Sequence, residues 1–140
     1  MSRVDFYVLP DADEQGRRLL ACKLTEKAWR LGLRVYVRAA SEREAALVDD
    51  LLWTFRQGSF VPHALTTAAT AEVPVWVGPA GLPPPEAVDF CINLASDDFD
   101  PAGYQRIAEI IDQDETRRNW GRERYRHYKE RGLQLETHRL

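Results

Sequence analysis

The sequence predicts an α/β fold in which a mainly parallel sheet is flanked by helices. Residues 4–9 form a β-branched and aromatic run, residues 13–31 carry apolar side chains at helical spacing, and residues 34–38 form a second strand-like run. A strand, a helix and a strand in this order favour a right-handed crossover between parallel strands. The length of 140 residues is typical of one domain, so we expect residues 1–140 to form a single α/β domain.

The first two predicted helices have recognisable ends. Gly32 is well placed to end the helix over residues 13–31. Its apolar face consists of Leu19, Leu20, Leu24, Ala28 and Leu31. Ser41 with Glu44 three residues later is a capping-box pattern, which predicts a second helix that runs to about Phe55.

The middle of the chain alternates between irregular and extended segments. Residues 57–73 show no clear periodicity, whereas residues 74–78 (PVWVG) and 87–94 (AVDFCINL) predict a third and a fourth strand. The proline-rich residues 82–85 between these strands predict a stiff connector.

Two more helices are predicted in the last third of the chain. Asp100 is a suitable N-cap and is followed by a proline, so a helix is expected over residues 101–111. A basic helix is predicted over residues 115–131, with Gly132 at its end. Residues 133–140 are expected to be extended.

Composition excludes several classes of protein. No apolar run approaches the roughly 18 residues that a membrane-spanning helix needs, and the first ten residues lack the pattern of an export signal. Cys22 and Cys91 are isolated, which argues against a disulfide framework and against a zinc site. We therefore expect a soluble cytoplasmic protein.

The net charge of −3 conceals a strong asymmetry. Residues 117–131 contain seven basic and two acidic residues, so this segment carries +5 and the rest of the chain carries −8. A body this acidic disfavours general nucleic-acid binding, which needs a broad positive surface. A compact basic patch suits a small anionic partner, and a solvated helix face is the alternative.

The sequence contains little that indicates catalysis. Residues 10–16 (PDADEQG) lack the glycine spacing of a phosphate-binding loop and place three carboxylates after the first predicted strand. The acidic pairs at 49–50 and 97–98 are better explained as helix-surface and loop residues than as a Mg²⁺ site or an acid–base pair. The three histidines lie in no recognisable nucleophile motif. We therefore predict no catalytic residues, no metal site and no cofactor.

An aromatic loop is the first candidate binding surface. Trp53 near the end of the second helix and the segment Phe60-Val61-Pro62 place much apolar area in one region. Burial in the core explains Trp53 equally well, but an apolar loop that contains proline is harder to bury and favours a partner surface.

The basic helix is the second candidate surface. Arg118, Arg122 and Arg126 recur every four residues, and Tyr125 lies one turn from Arg122. Guanidinium groups beside an aromatic ring can hold a carboxylate together with an apolar side chain. On composition alone, a solvated helix face is a slightly better explanation.

Several segments together carry a resemblance to a known family. They are Phe6-Tyr7, LTEKAW (24–29) before GLRV (32–35), DLLW (50–53), SFVPH (59–63), CINL (91–94), and RERY (122–125) leading to Tyr128 and Gly132. In their order and spacing they resemble the chi subunit family of bacterial DNA polymerase III over nearly the whole chain. FVPH and RERY together are specific, whereas either alone is a weak signal.

The resemblance implies a noncatalytic accessory subunit with two partners. One is the psi subunit, which tethers chi to the clamp-loader complex, and the other is the acidic, Phe-terminated tail of the single-stranded-DNA-binding protein. For psi, the resemblance implies Trp53, Phe60, Val61, Pro62 and His63. For the tail, it implies Arg122, Tyr125 and Arg126, with Arg118 and Gly132 nearby.

Three other functions stay open on sequence alone. The same aromatic patch would suit a different partner, such as a repair helicase. A nucleotide-binding or hydrolysing enzyme is disfavoured by the missing phosphate loop, and a direct single-stranded-DNA binder is disfavoured by the acidic body.

Overall fold

The computed structural model describes residues 2–68 and 72–140, and within these ranges strands and helices largely alternate. In chain order the elements are β1 (Arg3–Val8), α1 (Glu14–Arg30), β2 (Val35–Ala39), α2 (Glu42–Thr54), β3 (His63–Leu65), β4 (Val75–Pro79), β5 (Phe90–Asn93), β6 (Arg106–Ile111), α3 (Glu115–Glu130) and β7 (Gln134–Arg139).

The described strands form one seven-stranded sheet in the order β3-β4-β2-β5-β6-β1-β7. Every neighbouring pair is parallel. The predicted α/β class with a mainly parallel sheet is therefore confirmed. Parallel sheets are covered on both faces, which explains why β2 is buried along its whole length.

Each face of the sheet has its own apolar cluster. Helices α1 and α2 pack on the face that carries Val37, Ile92 and Ile110. On the other face, Tyr128 of α3 packs against a row of side chains in register across five strands. That row consists of Trp76, Tyr36, Cys91, Ile107 and Val4.

The helices begin where local capping chemistry predicts. The side chain of Asp13 accepts a hydrogen bond from the Gly16 amide at 2.8 Å, and this contact begins α1. At α2, the Ser41 hydroxyl accepts from the Glu44 amide at 3.1 Å, while the Glu44 carboxylate accepts from the Ala40 amide at 2.8 Å.

The predicted helix over residues 101–111 is wrong, because this segment contains strand β6. The Asp100 carboxylate does accept from the Ala102 amide at 2.9 Å, but the turn ends at Gly103, where φ is +97°. The β-branched run that follows is buried between β5 and β1. Burial on both faces of a parallel sheet outweighs the local helix-start signal.

The extended conformation predicted for residues 133–140 is confirmed, because they contain β7. Strand β3 lies within residues 57–73, for which no element was predicted. Both cysteines are free and buried, and burial raises the pKa of the Cys22 thiol to about 12. Over residues 2–68 and 72–140, no helix has the length and apolar character to cross a membrane.

Candidate partner-binding surfaces

A pocket of about 740 Å³ lies between α3 and the β7 edge of the sheet. Its floor comes from the carboxyl-terminal halves of β1 and β6, where Val8 pairs with Ile111 on one side and with Arg139 of β7 on the other. The lining residues are Phe6, Val8, Ile111, Gln113, Arg118, Gly121, Arg122, Tyr125, Thr137 and Arg139.

The charge of this pocket is uniformly positive. Arg118, Arg122 and Arg139 line it, and within the described ranges no aspartate or glutamate does. The same three arginines form no ion pair with any described residue. The buried Nε of Arg118 also lacks a hydrogen-bond partner in the described chain. Such donors are suited to an external carboxylate.

The apolar part of the pocket lies beside Tyr125. Tyr125 is 39% exposed, and its ring packs against that of Phe6 with the ring centroids 5.4 Å apart. Gly121 lies one turn before Tyr125 and brings the α3 backbone close to Ile111. The pocket therefore offers an apolar floor and an aromatic wall beneath a rim of guanidinium groups.

The N-terminal turn of α3 is anchored by a buried carboxylate. Asp112 is fully buried and accepts two hydrogen bonds from the Arg117 guanidinium, at 2.8 and 2.7 Å, and one from the Asp13 amide at 2.7 Å. Burial alone would raise the pKa of Asp112, but these donors outweigh it and hold the pKa below its ordinary value. The guanidinium group of Arg117 is therefore paired with Asp112 inside the protein.

The second half of α3 is anchored by Glu109 of β6, which is also fully buried. Its carboxylate accepts hydrogen bonds from the Arg124 guanidinium at 2.9 Å, from the Tyr128 hydroxyl at 2.6 Å and from the side-chain amide of Asn93 at 3.1 Å. Burial, together with the nearby Glu109 charge, raises the pKa of Tyr128. These contacts fix the rotation of α3, so that Arg118, Arg122 and Tyr125 face the pocket.

Two residues expected in the tail site lie outside the pocket lining. Arg126 is exposed and is not among the side chains that form the pocket. Gly132 follows the end of α3 with a φ of +76°, a backbone conformation that favours glycine, and its role there is to turn the chain into β7.

The apolar candidate surface lies near the opposite edge of the sheet. Phe60 is 76% exposed and Trp53 is 54% exposed, although both are large apolar side chains. Pro62 is exposed as well. Exposure of this much apolar area in one region is typical of a protein–protein contact.

Val61 and His63 alternate with these exposed residues and point inwards. Val61 is fully buried in the core, and His63 is nearly so. The two ring nitrogens of His63 contact the carbonyl oxygens of Val61 at 2.7 Å and Asp49 at 3.0 Å, and the ring lies 4.2 Å from that of Trp53. Val61 and His63 therefore lie beneath the exposed apolar surface and support it.

The loop before Phe60 is held by Glu26 of α1. Its carboxylate accepts from the buried Ser59 hydroxyl and pairs with Arg56 at 2.7 Å. The Ser59 hydrogen bond is the main reason that the pKa of Glu26 lies below its ordinary value. This contact fixes the base of the loop while Phe60 projects into solvent.

Comparison with known proteins identifies the family. The family model described as DNA polymerase III chi subunit, HolC, matches residues 1–136. The chain belongs to the DNA polymerase III chi subunit family. It is 42% identical over 142 residues to the DNA polymerase III subunit chi of Pseudomonas aeruginosa, covering 100% of this chain and 98% of that protein. The corresponding protein of Haemophilus influenzae is 30% identical, covering 94% of this chain and 93% of its own length. The protein of Escherichia coli is 28% identical, covering 98% and 97%.

The chi-family chain carries its two candidate surfaces near opposite edges of one sheet. Phe60 precedes the edge strand β3, whereas the pocket includes the edge strand β7. Six strand intervals separate these edges, which corresponds to roughly 30 Å at the usual spacing between strands.

Seven of the ten residues that line the pocket were not predicted from the sequence as site residues: Phe6, Val8, Ile111, Gln113, Gly121, Thr137 and Arg139. Thr137 and Arg139 alternate along β7, so a period of two in residues 133–140 was an available signal. Their proximity to α3 depends on the pairing of β7 with β1.

The other face of β7 carries a cluster of charged groups. Asp5, Glu136 and His138 bring ligand-type atoms within 4.8 Å of one another. Arg3 contacts Asp5 at 3.2 Å and also pairs with Glu136, and His138 contacts Asp5 at 2.9 Å. Arg3 and the ring of His138 already contact the Asp5 carboxylate, so the cluster joins β7 to β1.

Proposed function

We propose that this chi-family protein is a noncatalytic accessory subunit of DNA polymerase III that links two other proteins. The apolar surface around Phe60 binds the psi subunit of the clamp-loader complex. The pocket beside α3 binds the C-terminal tail of the single-stranded-DNA-binding protein. The observation that carries this proposal is the pocket itself, in which an apolar floor lies beside three arginines that form no ion pair with any residue the structure describes.

The pocket matches the chemistry of an acidic peptide that ends in an aromatic residue. Arg122 donates charge-assisted hydrogen bonds to the terminal carboxylate. Tyr125 and the floor at Ile111 contact the final aromatic side chain, and Arg118 faces the acidic residues that precede it. Each charge-assisted hydrogen bond contributes on the order of 1.5–3 kcal/mol, so a short tail binds modestly and binds less well as salt increases.

The surface around Phe60 matches an apolar partner. Phe60 and Trp53 are large exposed side chains of the kind that dominate binding energy at interfaces. The buried contacts of His63 and Ser59 hold this surface in one conformation before binding, which lowers the entropic cost of association. The separation of roughly 30 Å between the two sites allows both partners to bind at once.

The experiment that tests the proposal is a titration of the full chain with a fluorescent tail peptide from the same organism. We expect saturable binding that is lost when the final phenylalanine is removed. Arg122→Ala should weaken binding about tenfold or more, as expected for the loss of one charge-assisted hydrogen bond. Arg43→Ala, which changes an exposed arginine on α2, is the matched control. Equal affinity of Arg122→Ala and the wild type would reject the proposed tail site.

A further inference from the structure

We propose that Arg139 of β7 binds an acidic side chain of the tail that precedes the terminal aromatic residue, and so helps to set the specificity of the pocket. This inference rests on the proposed function of the pocket, and it assigns a role to β7, which forms the side of the pocket across from α3. Arg126, although it lies on the same helix as Arg122, then contributes little to binding.

The strand register places Arg139 at one end of the pocket. Phe6 pairs with Thr137 and Val8 pairs with Arg139, so Arg139 lies about 7 Å farther along the sheet than the Phe6 level. Tyr125 packs on Phe6 at the other end. The two ends of the pocket therefore differ, because the aromatic wall lies at one end and Arg139 lies at the other.

The orientation of Arg139 is fixed by the strand that carries it. Side chains alternate along β7, so Thr137 and Arg139 line the pocket while His138 lies on the opposite face. There His138 contacts Asp5 at 2.9 Å and stacks on Tyr7, with ring centroids 4.8 Å apart. These contacts hold β7 on β1 and keep Arg139 directed towards the pocket.

The charge of Arg139 is available to a ligand. It is exposed and forms no ion pair with any residue in the described ranges, and it lines a pocket without an acidic side chain from those ranges. Arg118 lies on the α3 side of the same pocket; it too forms no ion pair within the described ranges, and its buried Nε has no hydrogen-bond partner there. A peptide whose aromatic end rests beside Tyr125 in this pocket can bring carboxylates that precede its end to these two guanidinium groups.

A double-mutant cycle between protein and peptide tests this assignment. Full-length wild type, Arg139→Gln, Arg122→Gln and Arg126→Gln are titrated with the intact tail peptide. They are also titrated with a peptide whose acidic side chains are replaced by their amides and whose terminal carboxylate is kept. Arg139→Gln should weaken the intact peptide about tenfold and the amide peptide less than about twofold. Arg122→Gln should weaken both peptides, and Arg126→Gln should change neither by more than about twofold.

Each outcome decides between the proposals. If the wild type binds the tail but Arg139→Gln binds the intact peptide equally well, or loses the same factor with both peptides, the role of Arg139 is overturned and the tail site stands. If the wild type binds neither peptide, the tail site itself is overturned and this inference falls with it. Arg139→Lys, which keeps the charge, should recover most of the lost affinity, and an unchanged melting temperature for Arg139→Gln excludes a structural cause.

Discussion

Gly121 of α3 lies directly against the side chain of Ile111 at the end of β6. A β-carbon at position 121 would lie 2.9 Å from Cδ1 and 3.0 Å from Cγ1 of Ile111, closer than such atoms normally approach. Glycine within a helix costs roughly 1 kcal/mol relative to alanine. Here it allows α3 to approach the sheet closely enough to form the pocket, and α3 remains continuous through it.

Gly121→Ala should therefore weaken tail binding although alanine favours the helix. The added methyl group displaces the side chain of Ile111, which forms part of the pocket floor, and overpacking of this kind typically costs about 1–3 kcal/mol. We expect about a fivefold loss of affinity and no gain in melting temperature, measured by peptide titration and calorimetry. Adding Ile111→Val, which removes Cδ1, should restore part of the affinity. A raised melting temperature with unchanged affinity would contradict this explanation.

Phe60→Ala should abolish association with psi and leave tail binding unchanged. Truncation of a central aromatic side chain at an interface commonly costs about 2 kcal/mol or more, and Phe60 makes the largest exposed apolar contribution at this surface. Co-purification with psi, followed by titration of the tail peptide, measures both properties. Leu82→Ala is the matched control, because Leu82 is also exposed but lies beyond the other end of β4. Recovery of the Phe60→Ala complex at wild-type yield would reject the psi site.

Glu26→Gln should loosen the loop before Phe60 without altering the pocket. The substitution removes the charge that pairs with Arg56 and weakens the hydrogen bond from Ser59. We expect faster amide hydrogen exchange over residues 57–60 and several-fold weaker association with psi, because the loop is then less preorganised. Ser59→Ala should act in the same direction. Unchanged exchange in both variants would show that this contact does not hold the loop.

Asp112 should make stability depend on pH in the acid range. Its pKa is lowered in the folded protein, so its contribution is fully present above the ordinary value and is lost as the pH falls through the lower, folded-state value. Asp112→Asn should lower the free energy of unfolding by about 3 kcal/mol at pH 7, because Arg117 loses its buried partner. This difference should shrink below about pH 4.

Denaturant unfolding between pH 3 and pH 7 measures the Asp112 effect. Asp100→Asn serves as the control, since the Asp100 carboxylate is largely exposed and forms a long contact of 3.4 Å with Arg131. A difference between wild type and Asp112→Asn that stays constant with pH would contradict the role assigned to the charged carboxylate.

Local chemistry allowed the helix starts and the fold class to be predicted from sequence. The capping contacts of Ser41 and Glu44 join atoms within four residues of each other, so their pattern is visible along the chain. The strands β1, β2 and β4 were predicted because their runs of β-branched and aromatic residues are likewise visible along the chain. The prediction of a helix over residues 101–111 was wrong for a reason that is not local. Asp100 does form a local turn, but the isoleucines of β6 are buried in the sheet between β5 and β1.

The arginine spacing on α3 and the aromatic loop were visible in the sequence, but their chemical availability was not. Arg117 and Arg124 belong to the same basic run as Arg122, yet Asp112 and Glu109 bind them inside the fold. Whether an arginine remains free for a partner depends on which buried carboxylates it reaches, and folding alone sets those distances. Arg139 belongs to the pocket because β7 pairs with β1, a contact between residues at opposite ends of the chain.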